Sequence, residues 1–309
     1  MSHAPLVGVA GLGLIGASIG LRAAACGWRV IGWDPDAEHA RVALERGAVA
    51  SLLGTFDALA ADAQTLVLAA PLDATVRLLG ALAAGLPSRA SLIVDVASVK
   101  APVARAGATL GAFVPTHPIA GSERSGPQAA HADLFVESVW MYDPMAAADA
   151  AGRARAFIEA MGALPYPVGS VEHDRIVALT SHLPQLVSVA LGARLGPALA
   201  EPRVLALCGA GVRAMLRLGT SSWPMWRAIV AANGVPVAQE VRRLADVLSS
   251  FADALDGERP DVLADSFVAA AGAVARLGAN VSAANPASAA SISNDERQSW
   301  IDGPSSAPL

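Results

Sequence analysis

Two rhythms of apolar residues divide the chain near Ser170. Before it, short apolar runs of the kind that form buried strands alternate with stretches at helical spacing. Strands are predicted over residues 6–10, 29–33, 65–69, 91–96, 112–115, 138–142 and 164–168. Helices are predicted over 14–26, 37–46, 74–84 and 147–161, with one more starting near Val99. The punctuation agrees: Gly27 and Gly47 follow helices, while Asp34-Pro35, Pro71 and Asp143-Pro144 follow strands. Strand and helix in strict turn imply a parallel sheet covered on both faces by right-handed crossovers.

After Ser170 strand signals become scarce, and long Ala/Leu/Val-rich segments predict helices over 171–195, 203–218, 226–233, 237–256 and 261–277. Beyond Asn280 the chain turns to Ser, Ala, Asn and Pro, a composition with little to bury. The expected organisation is an α/β domain over 1–169, an all-helical domain over 170–280 and a flexible tail over 281–309.

Composition narrows the function classes. With 54% hydrophobic and 16% charged residues among 309, the chain can bury a sizeable core. A net charge of −5 and the lack of clustered Lys and Arg argue against a nucleic-acid partner. Cys26 and Cys208 lack the neighbours that a metal site or disulfide framework needs, so no metal is expected. The uncharged run 4–21 approaches the length of a membrane helix, but Gly8, Gly11, Gly13, Gly16 and Gly20 interrupt it and no basic segment precedes it. No membrane association is expected, and the setting is read as cytoplasmic.

Gly11-Leu12-Gly13-Leu14-Ile15-Gly16 matches GxGxxG, with a strand leading in, a helix leading out and Asp34 closing the next strand. Gly11 permits the tight turn, Gly13 lets the backbone approach a pyrophosphate, and Gly16 lets the helix pack close to the sheet. The α/β half is therefore read as a Rossmann domain. Its expected cofactor contacts are Gly11, Gly13, Leu14, Ile15, Gly16 and Asp34. An Asp able to accept both ribose hydroxyls, with no Arg immediately after it, favours NAD over NADP. The alternative is a purely structural glycine turn with Asp34 as a helix cap.

Four clusters carry candidate chemistry. His117, in the loop Thr116-His117-Pro118-Ile119-Ala120-Gly121-Ser122-Glu123, follows a strand of the dinucleotide domain; it is a structural hydrogen-bonder or a base for a hydroxyl proton. Ser98, in Asp95-Val96-Ala97-Ser98-Val99-Lys100, stands where strand passes to helix, as an N-cap, as a group orienting His117 or as both. In Thr180-Ser181-His182-Leu183-Pro184-Gln185, spacing predicts that Ser181 and Gln185 share a face while His182 points elsewhere. Arg213 and Arg217 are four apart, a solvated pair or a fork for a carboxylate.

With these segments together, the sequence resembles the prephenate and arogenate dehydrogenases of tyrosine biosynthesis. The resemblance rests on the glycine turn at Gly11, Ser98-Val99-Lys100, His117-Pro118-Ile119-Ala120-Gly121-Ser122-Glu123, Ser181-His182-Leu183-Pro184, and Arg217 ahead of Met225-Trp226, in the family's order. It implies a Rossmann domain followed by an all-helical dimerisation domain, and hence a homodimer. It implies His117 as the catalytic base, Ser98 as the serine that positions it, Arg217 as the anchor of a substrate carboxylate, and Ser181 and Glu123 near the substrate. The implied reaction is NAD-dependent oxidative decarboxylation of prephenate to 4-hydroxyphenylpyruvate, with neutral His117 the competent form.

Gln185 departs from the family's pattern, where many prephenate-using members carry a second histidine. The position is expected near the substrate, and an amide can accept from an ammonium or donate to a carbonyl. Arogenate, or an amino-substituted prephenate, is therefore an alternative substrate. A non-catalytic NAD-binding protein is a third possibility, against which the joint presence of His117, Ser98 and Arg217 speaks.

Overall fold

The computed structural model describes residues 5–120 and 124–280. The predicted tail over 281–309 lies outside the described residues. Strand β1 (Leu6–Ala10) leads through the glycine turn into helix α1 (Leu14–Ala25), and β2 (Arg29–Trp33) and α2 (Ala37–Glu45) follow. Next come β3 (Ser51–Leu52), α3 (Phe56–Asp62), β4 (Thr65–Leu68), α4 (Leu72–Ala83), β5 (Leu92–Asp95), α5 (Ala101–Ala106) and β6 (Phe113–Val114). The six strands form one sheet in the order β3-β2-β1-β4-β5-β6, and every pair in it is parallel. Both faces are buried. Val7, Val9, Val67 and Val94 feed one core cluster; Leu66, Leu68 and Ile93, alternating with them, feed the other.

The chain then departs from the single parallel sheet expected. Beyond Pro115, β7 (Thr116–Pro118), β8 (Val139–Tyr142) and β9 (Leu164–Pro167) form a second, three-stranded sheet, and α6 (Ala148–Ala160) connects the last two strands. β7 runs antiparallel to β8, pairing His117 with Met141, while β8 and β9 are parallel. His117 thus sits on an edge strand and not in the loop predicted after residue 115. Neither the strand-breaking Pro115 nor the His-Pro pair carries a strand's side-chain pattern, so only pairing with β8 reveals β7. β3 and α3 were not predicted either, being too short for periodicity to register.

From Ser170 onward the described chain is helical. α7 (Ser170–Val177), a π-helical turn (Ala178–His182) and α8 (Leu183–Leu199) form one continuous rod. Pro184 explains the π turn: it has no N–H to offer the carbonyl four residues back and its ring crowds that carbonyl, so the ladder loosens there. The predicted helix 203–218 is broken into α9 (Pro202–Ala206) and α10 (Ala210–Leu216), with Gly209 extended between them and a 3-10 turn over Arg217–Thr220 after them. α11 (Trp223–Ala232), α12 (Gly234–Asp256) and α13 (Ala264–Asn280) complete the described chain. The rod Ser170–Leu199 is long and apolar enough, by length and composition alone, to cross a membrane. It nevertheless carries His173, Asp174, His182, Gln185 and Ser188 as buried polar side chains.

Candidate active site

The glycine turn has the geometry of an anion cradle. Gly11 holds φ +93°, and a Cβ there would meet the Ala69 carbonyl oxygen at 2.5 Å. A Cβ on Gly16 would lie 1.9 Å from the Gly11 carbonyl oxygen, so helix and turn touch backbone to backbone. Over Gly13, by contrast, a Cβ would meet nothing within 4 Å. Gly13 caps α1 without a side-chain bond, no acid occupies the first turn, and the N–H groups of Leu14 and Ile15 have no protein acceptor among the described residues.

Asp34 is not the cap of α2. That role falls to Asp36, whose carboxylate accepts from the backbone N–H groups of Glu38 and His39. Asp34 Oδ2 accepts from Leu12 N at 2.6 Å and Oδ1 from Asp36 N at 2.8 Å, tying the end of β2 to the glycine turn. The nearby Arg41 is paired with Glu38 and Glu45. A dinucleotide fits this arrangement: open N–H groups for phosphates and an oriented carboxylate for a ribose.

The second constellation lies where the two halves meet. Asp95, at the end of β5, is fully buried with Lys100, and the two form an ion pair. Lys100 Nζ also donates to the Thr116 carbonyl at 2.5 Å, and Asp95 Oδ1 accepts from Thr116 N at 3.0 Å. These bonds fasten β7, and so His117, to the edge of the main sheet. From the helical half, Asp174 Oδ1 accepts from Lys100 N at 2.7 Å and Oδ2 from Ala101 N at 2.8 Å. The first turn of α5 is therefore capped by a carboxylate from α7. The N-cap reading of Ser98 is corrected: a distant side chain takes those N–H groups, and Ser98 makes no hydrogen bond to His117 among the described residues.

His117 Nδ1 lies 2.9 Å from His173 Nε2, and His173 Nδ1 lies 2.9 Å from Asp174 Oδ1. The two rings meet edge to face, 5.1 Å apart. His117 is pushed well below its ordinary value of 6.5, first by burial and then by His173, Lys100 and His182. His182, 1% exposed, is lowered to about 4 by burial, with Asp174 opposing the shift and His173 adding to it. Asn233 joins the group through Nδ2, which donates to the Asp174 carbonyl at 2.7 Å and lies 3.2 Å from His182 Nδ1. His173, Asp174 and Asn233 escaped the sequence reading. Their signal, a His-Asp pair in the first turns of an amphipathic helix, is that of any solvated helix start.

The predicted shared face of Ser181 and Gln185 does not form. Ser181 is exposed, whereas His182 and Gln185 are buried, because the π turn upsets the four-residue phase on which the expectation relied. Gln185 is bonded on both sides within its own chain: Nε2 donates to the Leu218 carbonyl at 2.7 Å and Oε1 accepts from Ser221 Oγ at 3.2 Å. It pins the turn that starts at Arg217. Arg217 is exposed and makes no ion pair among the described residues; Arg213 is exposed as well. Trp226 packs edge-on against His182 with ring centres 5.6 Å apart, and its buried Nε1 has no hydrogen-bond partner among the described residues. Glu123 lies outside the described residues. A separate groove of about 610 Å³ between α4 and α11, lined by Leu72, Asp73, Trp223 and Arg227 among others, contains none of the candidate residues.

Fold and site define a class: a nucleotide-binding α/β unit joined to a helical unit, with paired imidazoles at the seam. Residues 18–164 match the sequence model described as "Prephenate dehydrogenase, nucleotide-binding domain", and residues 169–269 match "Prephenate dehydrogenase, dimerization domain". The chain belongs to the prephenate dehydrogenase family. It is 32% identical over 234 residues to a prephenate dehydrogenase of Bacillus subtilis, covering 73% of this chain and 63% of that one. It is 35% identical over 175 residues to a probable prephenate dehydrogenase of Streptomyces niveus, covering 54% of this chain and 48% of the relative. The match thus spans about half to two thirds of these relatives' length. Two solved structures show the same fold. Prephenate dehydrogenase from Aquifex aeolicus, in complex with hydroxyphenyl propionate and NAD+, superposes with TM-score 0.79 at 21% identity, over 90% of this chain and 99% of that one. Synechocystis arogenate dehydrogenase gives 0.76 at 24%, over 88% and 99%.

Proposed function

We propose that this chain catalyses the NAD-dependent oxidative decarboxylation of prephenate to 4-hydroxyphenylpyruvate. Family membership supports the reaction class, and one observation supports the chemistry: His117 is a partly exposed imidazole beside the nucleotide domain, held in its neutral form by its surroundings. A neutral ring can accept the ring-hydroxyl proton of a cyclohexadienol. NAD, when bound on the glycine turn, supplies the hydride acceptor. Loss of the ring carboxylate as carbon dioxide aromatises the product, so the protein's task is alignment and removal of one proton.

In this reading Arg217 grips a substrate carboxylate, and Gln185 sets the turn that carries it. Gln185 is buried, and its bonds to Leu218 and Ser221 commit one amide donor and one acceptor position to its own chain. Ser98, just beyond the end of β5 in the nucleotide half, orients the cofactor, and Ser181 belongs to the substrate rim. The apolar surface of the helical half is covered by a second copy, giving a homodimer in the cytoplasm.

The test is NAD reduction by the purified protein, followed by absorbance, with prephenate and arogenate compared at equal concentration and NADP as the alternative coenzyme. Faster turnover with prephenate and NAD is expected. No reduction with either substrate overturns the proposal, and a preference for arogenate overturns its substrate.

A further inference from the structure

The hydrogen bonds around His117 form a directional chain. Asp174 already accepts two backbone N–H groups, and toward His173 it acts as an acceptor as well. His173 therefore carries its proton on Nδ1. A neutral His173 then presents a lone pair at Nε2, and His117 must donate to it from Nδ1. That leaves His117 Nε2 bare. A free imidazole has no such constraint; here the second ring dictates which nitrogen is basic.

We infer that His173, held by Asp174, is the positioning residue that fixes the tautomer of His117 and receives the positive charge formed when His117 accepts a proton. The inference rests on His117 being the base, as proposed above. The proton balance is closed within the chain. The substrate O–H bond breaks and its proton joins His117 Nε2; the proton on His117 Nδ1 passes to His173 Nε2; the charge comes to rest beside the Asp174 carboxylate.

The surroundings give the transfer a direction. Facing His117 are Lys100 from the segment before α5, His182 from the π turn and His173 from α7, and each of them disfavours an imidazolium there. The anions of the cluster are placed elsewhere: Asp95 of β5 pairs with Lys100, and Asp143, beyond β8, accepts from Ser170. His173 has a carboxylate at 2.9 Å, and its own exposure is 3%. A charge that is unwelcome on the first ring is matched by an anion at the second.

Nitrogen-15 NMR of the intact chain labelled on histidine reads the tautomer directly, with NAD present and without substrate. His117→Asn identifies the His117 signals. At pH 8 the expected spectrum shows His117 protonated on Nδ1, reverting to Nε2 in His173→Phe. His117 protonated on Nε2 in the unsubstituted protein overturns the inference. In turnover, His173→Phe is expected to lose about 100-fold in kcat, with KM and NAD affinity within about twofold. His173→Gln, whose amide oxygen can still accept from His117 Nδ1 but cannot take up a proton, should restore the Nδ1 tautomer with only part of the rate. Full activity in His173→Gln overturns the charge-transfer half while leaving the tautomer half standing. If neither prephenate nor arogenate is oxidised, the substrate proposal fails, and the tautomer is still decided by the spectrum.

Discussion

The two halves of the molecule use apolar residues in opposite ways. In the α/β half, Val7, Val9, Leu66, Leu68, Val94 and their neighbours are fully or almost fully buried. In the helical half, only Val237 and Ala254 are buried apolar residues beyond Ala178 among the described residues, while Leu207 is 87% exposed, Phe267 71% and Val268 72%. The first half closes its own core. The second is a scaffold of apolar helices that a single chain leaves uncovered, and apolar surface on this scale marks a contact face. Geometry set within the first half, such as the tie of β7 to Asp95 and Lys100, should therefore survive changes in assembly, whereas geometry set by the turn at Arg217 should not.

Substitutions can break or sharpen that contrast. The largest effect belongs to the seam. His117→Asn should lower turnover by about 10²- to 10⁴-fold, measured by NADH formation, while fluorescence titration shows unchanged NAD affinity; a fully active variant removes His117 from the mechanism. Next is Lys100→Met, which strands Asp95 in a dry interior. Urea denaturation should show a loss of about 3–5 kcal/mol.

The third effect is one of pH. His182 in the folded chain titrates at about 4, below its ordinary value of 6.5, so the unfolded chain binds the proton first as the solution is acidified. Its contribution to stability is whole above pH 6.5 and is lost as pH falls toward 4, a change on the order of 3 kcal/mol. His182→Phe should flatten that part of the acid-denaturation curve. The same direction holds for His117, so kcat/KM should be level near neutrality and fall only in a range more acidic than an ordinary histidine gives.

Arg217→Ala should raise KM for the substrate by about tenfold to a hundredfold, with Arg213→Ala close to the unsubstituted protein; equal effects from both would reduce Arg217 to one of two surface charges. The smallest effect is expected from Phe267→Asp. It should weaken self-association by about 30-fold in sedimentation experiments while leaving the α/β half's urea midpoint in place. If the α/β half melts with it, the two halves are not energetically separate and the contrast fails.

What could be read from the sequence follows the range of the interactions involved. The glycine turn, Asp34 and the main strands were legible because turn chemistry and buried-strand patterns are local. β7 was not, since a three-residue strand exists only through its partner β8. The cap of α5 was assigned to Ser98 on proximity, yet Asp174, far along the chain, provides it. The Ser181–Gln185 face assumed an unbroken α-helix, which the π turn before Pro184 denies. His117 and Gln185 were singled out by residue type and by resemblance. Their partners, His173 for one and Leu218 with Ser221 for the other, are set by tertiary packing that no spacing rule encodes.

The position of Asp174 has a mechanical corollary. One carboxylate clasps the start of α5 in the nucleotide half and, through its neighbour His173 on α7, the ring of His117. Any hinge motion that parts the two halves must release both grips together. With His117 as the base proposed above, an opened molecule would exchange small molecules at a moment when that imidazole has lost its contact with His173.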